Sequence, residues 1–77
     1  ADDEKAAKEK QLADKLCRDL CCSKTMEYEL RQYIRYCFIE NIDINGVVCK
    51  MYEENMMPCN DKREGKKRFE QLKSRLL

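Results

Sequence analysis

Along this chain the apolar residues recur at intervals of three and four, the period of a helix with one buried face, and the recurrence breaks at three places. The first stretch predicts a helix from about Asp3 to Leu20, with Ala6, Ala13, Leu16 and Leu20 on one stripe and Leu12 beside them. Asp2, Asp3 and Glu4 suit the positive end of its dipole. Residues 1–10 are almost wholly polar, so the pattern predicts a frayed helical arm there. Cys22-Ser23-Lys24-Thr25 reads as a connection, with Ser23 or Thr25 as the N-cap of a second helix reaching about Glu40. Its stripe is Met26, Leu30, Tyr33, Ile34 and Cys37.

Asn41 to Gly46 interrupts the pattern, and Asn45-Gly46 is a turn signal that can also close a helix. A third helix is expected from about Val47 to Met56, ended by Pro58, which lacks an amide donor and disfavours helix at Met57. The last helix is expected to begin near Asn60 or Asp61, since Asp61-Lys62-Arg63-Glu64 has capping-box spacing. Phe69, Leu72 and Leu76 form its stripe, with Leu77 beside them. No β-hairpin turn joins alternating apolar runs, so the predicted fold is all-α: a small disulfide-stapled bundle of three to four helices in a single domain, 1–77, ending in a basic amphipathic helix over 60–77.

Length makes the cysteines matter. A chain of 77 residues rarely obtains more than ~3–5 kcal/mol from its core alone, and six cysteines in it are the composition of a disulfide scaffold. The set is Cys17, Cys21, Cys22, Cys37, Cys49 and Cys59. Six cysteines allow 15 pairings. If Cys17 to Cys22 stay helical, the pairs among Cys17, Cys21 and Cys22 point apart. Each of the three must then bridge to Cys37, Cys49 or Cys59, and six schemes remain. The chain opens at Ala1-Asp2-Asp3-Glu4 without an apolar leader, so a secreted, extracellular location is expected from the cysteines alone.

Several functions are disfavoured. Without histidine, a zinc site would need a second cysteine pair at short spacing, and none follows the Cys17, Cys21, Cys22 cluster. No metal and no cofactor are expected. The lack of histidine, of G-x-S-x-G and of a phosphate-binding loop equally disfavours an enzyme, so no catalytic residue and no small-molecule substrate are assigned. Net charge runs −1 over residues 1–10, −2 over 11–59 and +4 over 60–77. The basic tail suits an acidic partner surface or a weak association with anionic membranes, and falls short of a nucleic-acid-binding domain.

Two candidate partner-binding surfaces follow. One is the terminal helix through Lys66, Lys67, Arg68, Lys73 and Arg75, whose bland reading is a solvated face. The other is Tyr28, Arg31, Arg35 and Tyr36 on the second helix, residue types enriched in binding hot spots, though some tyrosines could simply cover the core. Gly65-Lys66-Lys67-Arg68 has the form of a prohormone amidation and cleavage signal, or is a coincidence within a basic helix.

Six cysteines on a helical pattern, with the vicinal pair Cys21-Cys22 and a charged tail, resemble the helical disulfide-rich peptides of arthropod venoms, including the centipede toxins. The resemblance implies a secreted toxin that binds an ion channel or receptor on a target cell and modulates its gating. An endogenous hormone, pheromone or cytokine-like ligand is the alternative, and a membrane-active amphipathic peptide the second alternative. Complement anaphylatoxins are similar in length and in a vicinal pair followed by spaced cysteines, but the second vicinal pair and the terminal arginine are missing. Twin C-x9-C proteins of the mitochondrial intermembrane space are similar at Cys49 and Cys59, where a single pair stands instead of two.

Overall fold

A computed structural model describes residues 2–77; Ala1 and the side chain of Asp2, with the dipole role expected of it, lie outside the described residues. Four helices follow in order: α1 (Asp2–Asp19), α2 (Lys24–Ile39), α3 (Ile44–Glu53) and α4 (Lys62–Leu76), and no strand occurs among the described residues. The chain is thus an all-α bundle. Helix α1 packs along α2, and α3 packs on both α2 and α4. Their inward stripes meet in one core whose largest fully buried members include Leu16, Leu20, Leu30, Ile34, Ile44, Met51, Phe69 and Leu72. Burial of such side chains stabilises by about 1.5–3 kcal/mol each before conformational entropy is subtracted.

The helix stops explain how so short a chain turns three times. Cys21, Asn41 and Asn55 all take left-handed backbone, with φ of 51°, 56° and 60°. Each follows a helix end closed by the same two bonds. After α1, the Cys22 amide donates to the Cys17 carbonyl and the Cys21 amide to that of Arg18, both at 3.2 Å. After α2, Ile42 donates to Cys37 at 2.8 Å and Asn41 to Phe38 at 3.4 Å; after α3, Met56 donates to Met51 and Asn55 to Tyr52, both at 3.0 Å. These are Schellman closures, in which the residue past the left-handed position folds back on the last turn and satisfies its free carbonyls. Asparagine tolerates the left-handed region; a cysteine there carries a steric cost of ~1–2 kcal/mol. Ser23, Asp43 and Asp61 then start the next helices, accepting from the amides of Met26 (3.2 Å), Gly46 (3.0 Å) and Glu64 (2.7 Å).

Three sequence expectations need correction. Helix α3 runs Ile44–Glu53, not Val47 to Met56: Asp43 caps it, so that Asn45-Gly46 is its first turn and the true turn is at Asn41, and the left-handed Asn55 closes it ahead of Pro58. Ala6 is exposed, so the α1 core stripe starts at Leu12. The third concerns the cysteine run, since α1 stops at Asp19 and Cys21 is left-handed, and so Cys17 to Cys22 do not stay helical. The elimination that sent all three to distant partners loses its premise. Residues 2–10 belong to the continuous helix α1, and residues 3–8 are exposed.

Candidate functional site

Of the five basic residues expected to form a surface on α4, three are bound within the molecule. The Arg75 Nη2 lies 2.6 Å from the Glu54 Oε1 and 3.3 Å from the Met56 sulfur, tying α4 to the end of α3. Lys73 sits over the Phe69 ring, 4.5 Å from its centroid, and pairs with Glu70 at 2.9 Å. Arg68 donates to Gln71 at 2.8 Å and stands 3.8 Å from Glu64, and its Nε is buried without a hydrogen-bond partner. Lys66 and Lys67 are exposed and extend a cluster that begins with Lys62 and Arg63. The basic tail thus divides into a structural half and a solvated half.

Gly65 explains why α4 can sit where it does. A Cβ there would lie 1.7 Å from the Leu20 carbonyl oxygen, so only glycine lets α4 pass this close to the end of α1. Gly65 is buried inside the helix, and its place ahead of Lys66-Lys67-Arg68 follows from packing. Phe69, one turn on, is fully buried and meets Tyr33 of α2 edge-on, with ring centroids 6.0 Å apart.

Helix α2 behaves differently. Its inner stripe of Met26, Leu30, Ile34 and Cys37 is buried, yet three of the four exposed large hydrophobic side chains among the described residues also belong to it. They are Tyr28, Ile39 and Tyr36, with 68%, 64% and 51% of their surface in water. Tyr28, Gln32, Arg35 and Ile39 recur at four, three and four residues, hence on one face, and Tyr36 flanks them. The face runs ~16 Å along the helix. Sequence reasoning named Tyr28, Arg35 and Tyr36 but missed Ile39. The available signal was that Ile39 is an aliphatic residue out of register with the Met26–Cys37 stripe.

Arg31, the fourth expected member, stands on the α1-side edge of this face, beside Gln32 and Arg35, and is engaged within the molecule. Its Nη2 donates to Asp14 of α1 at 2.7 Å and its Nε to Glu27 at 3.0 Å. The hydrogen bond from Arg31 holds the Asp14 carboxyl below its ordinary range. Arg31 is therefore a clasp between α1 and α2. A second clasp joins α1 to α3: Tyr52 donates its hydroxyl to Asp19, and the Lys15 ammonium lies 4.3 Å from the Tyr52 ring centroid.

No two of the cysteine sulfurs are bonded, so the three-bridge framework expected from the count is not seen. The six are unequally placed. Cys17 and Cys22, the two ends of the α1 closure, are both half-buried and are joined by the bond from the Cys22 amide to the Cys17 carbonyl. Burial first, and Cys17 second, pushes the Cys22 thiol up to about 12. The Cys21 thiol donates to the Cys59 carbonyl at 3.2 Å, and the Cys59 amide donates to the Asp19 carbonyl at 2.7 Å. Cys37 is in the core beside Tyr33, its thiol raised by burial, whereas Cys49 is exposed.

Among the described residues no group of three or more His, Cys, Asp or Glu side chains is arranged to hold a metal ion, and no helix is long and apolar enough to cross a membrane. No protein-family model matches the chain, and no curated protein or solved structure matches it.

Proposed function

We propose that the protein is a secreted helical effector that acts by binding, with the outer face of α2 as its contact surface and a membrane receptor or ion channel as its target. The observation that carries this reading is the concentration of Tyr28, Tyr36 and Ile39 around Arg35 on a helix whose core stripe is already complete. The fold does not require them there: they expose apolar surface that a purely structural helix would fill with polar residues. Tyrosine and arginine are the residue types that dominate interface energetics, because they combine large contact area with a polar end. A rigid helix presents them without an ordering cost on binding. The cysteine content supports an oxidising, extracellular setting, and the resemblance to venom peptides supports a receptor or channel as target.

The test is a set of recordings from voltage-gated potassium, sodium and calcium channels, with binding of fluorescently labelled protein to the same cells. Tyr28→Ala and Tyr36→Ala are each expected to weaken the response about 30-fold, as for hot-spot residues worth ~2 kcal/mol, while leaving the helical circular dichroism unchanged. Full potency in both variants would remove α2 as the contact surface. A response lost instead with Lys66→Glu and Lys67→Glu would move the site to the solvated half of the α4 basic run, the second reading.

A further inference from the structure

The cysteines hold more information than their number. Around the end of α1 four of them are gathered by backbone geometry that their sulfurs did not create. The Schellman closure sets Cys17 and Cys22 at the two positions whose side chains ordinarily make the hydrophobic contact of that motif. In this chain both are cysteines, brought together by the 3.2 Å bond from the Cys22 amide to the Cys17 carbonyl, and both are half-buried. The left-handed residue between them, Cys21, faces the loop between α3 and α4, where its sulfur is 3.2 Å from the main-chain oxygen of Cys59. Cys59 is fixed there by its own amide bond to Asp19. The other two cysteines are kept apart: Cys37 is on the buried stripe of α2, and Cys49 is off the Ile44, Val48, Met51 face by which α3 meets the core.

We propose that Cys17 pairs with Cys22 and Cys21 with Cys59, and that Cys37 and Cys49 remain thiols. Both bridges meet at the end of α1. One locks the α1 to α2 turn; the other fastens the α3 to α4 loop to it. The side chain that makes Cys21 an ill-suited residue for its left-handed backbone is then the one that crosses to the neighbouring loop.

The chemistry needs an oxidant, and a small disulfide such as oxidised glutathione suffices. A protein thiolate attacks one glutathione sulfur and expels glutathione thiolate, giving a mixed disulfide. The partner cysteine, as thiolate, attacks the protein sulfur of that intermediate and expels the second glutathione. The protons of the two protein thiols end on the two departing thiolates. Each bridge thus reduces one oxidised glutathione to two thiols.

The experiment uses the full chain, reduced, refolded and oxidised with oxidised glutathione, then denatured, alkylated and digested with trypsin without reduction. Cleavage after Lys15, Arg18, Lys24, Arg35, Lys50 and Lys62 yields the cysteine-bearing peptides 16–18, 19–24, 36–50 and 51–62. Cys37 and Cys49 share the peptide 36–50. The expected product is one species joining 16–18, 19–24 and 51–62, together with 36–50 carrying two alkyl groups. The intact oxidised protein should be lighter by four hydrogens, not six. Two variants resolve the pairing inside the cluster: Cys22→Ser should release 16–18 and keep 19–24 joined to 51–62, and Cys21→Ser should do the reverse. Any link from 36–50 to another peptide, a bridge within 36–50, alkylation of all six cysteines, or the opposite release pattern in the variants overturns the proposal. Because the mapping requires no target, its result is separate from that of the receptor recordings.

Discussion

Helices α2 and α4 are almost equal in length, 16 and 15 residues, and both carry aromatic and basic side chains, yet they use them in opposite ways. In α4 the aromatic residue is inside, since Phe69 is fully buried, and Lys73 and Arg75 close over it and over the end of α3. In α2 two tyrosines and an isoleucine are outside, and Arg31 alone among the expected contact residues is drawn into the scaffold. The contrast teaches that a basic run says little about whether a helix face is free. Charged residues on long flexible stems readily fold back onto neighbours. An apolar residue that stands off a completed core stripe is more informative, because burial would have been favourable and the fold declines it.

The largest expected effect tests the α4 half of this contrast. Phe69→Ala removes a wholly buried ring between α2 and α4 and should cost ~3–5 kcal/mol, comparable to the whole stability expected of so small a core. Loss of a cooperative thermal transition in the reduced protein is the expected readout. Tyr28→Ala, the corresponding aromatic truncation on α2, should leave the transition within a few degrees of wild type, because exposed substitutions usually change stability by under about 0.5 kcal/mol. Equal damage from the two would erase the distinction between the helices.

Gly65→Ala comes next. Alanine favours an isolated helix over glycine by ~1 kcal/mol. Here the added methyl would fall 1.7 Å from a backbone oxygen, which cannot rotate away as a side chain can. Overpacking of about 1–3 kcal/mol should outweigh the propensity gain. A lowered denaturation midpoint is expected; a raised one would show that α4 can slide outward at little cost.

Much of this was legible in the sequence. Four helices, the caps at Ser23 and Asp61 and the stripes of α2 and α4 all follow from spacing, because a 3.6-residue period and a capping side chain are local properties. The start of α3 was misread because Asn-Gly is a turn signal only when no cap precedes it, and Asp43 does. The packing role of Gly65 had no signal in the sequence, because the close approach of Leu20, 45 positions earlier in the chain, leaves no local mark. The cysteine geometry was hidden by one torsion. Cys21 is a residue type with no preference for left-handed backbone, so nothing at that position announced the torsion that brings Cys17 and Cys22 together. For the exposed face of α2, residue type pointed to Tyr28, Arg35 and Tyr36, whereas the division of the basic residues into bound and free required knowing that Glu54 stands opposite Arg75.

A smaller effect probes the ionic clasps that tie helices together. Hydrogen bonds from Arg31 and Arg75 hold the carboxyls of Asp14 and Glu54 below their ordinary values. A carboxyl with a lowered folded-state pKa contributes stability above its unfolded value and loses that contribution as pH falls through the folded value. The denaturation midpoint should accordingly decline as pH drops below about 4. Both carboxyls are at the surface, so the decline should be modest and should shrink in high salt. In Arg31→Gln combined with Arg75→Gln the acid limb should flatten. An unchanged acid limb would place the acid sensitivity in other carboxylates.

The smallest stability effect is expected where the basic run is free. Lys66→Glu and Lys67→Glu alter two exposed side chains of α4 that make no ion pair in the structure, so no desolvated contact is lost. Reversal at position 66 places a carboxylate one turn before Glu70, which is unfavourable by a few tenths of a kcal/mol, and one turn after Lys62 and Arg63, which is favourable by a similar amount for each. Reversal at position 67 places one a turn after Arg63, which is favourable, and within a turn of Glu64 and Glu70, which is unfavourable, each by a similar amount. The two should nearly cancel, leaving the midpoint within about 0.5 kcal/mol of wild type. Arg68→Glu differs, since it would set a carboxylate one turn from Glu64 and leave Gln71 without its donor. The double variant at 66 and 67 is therefore the clean charge reversal, and chemical denaturation at low and physiological salt measures it. A loss of more than about 1 kcal/mol would mean that the free half of the basic run also supports the fold, and the contrast between α2 and α4 would become complete: one helix devoted wholly to the scaffold, the other left to meet a partner.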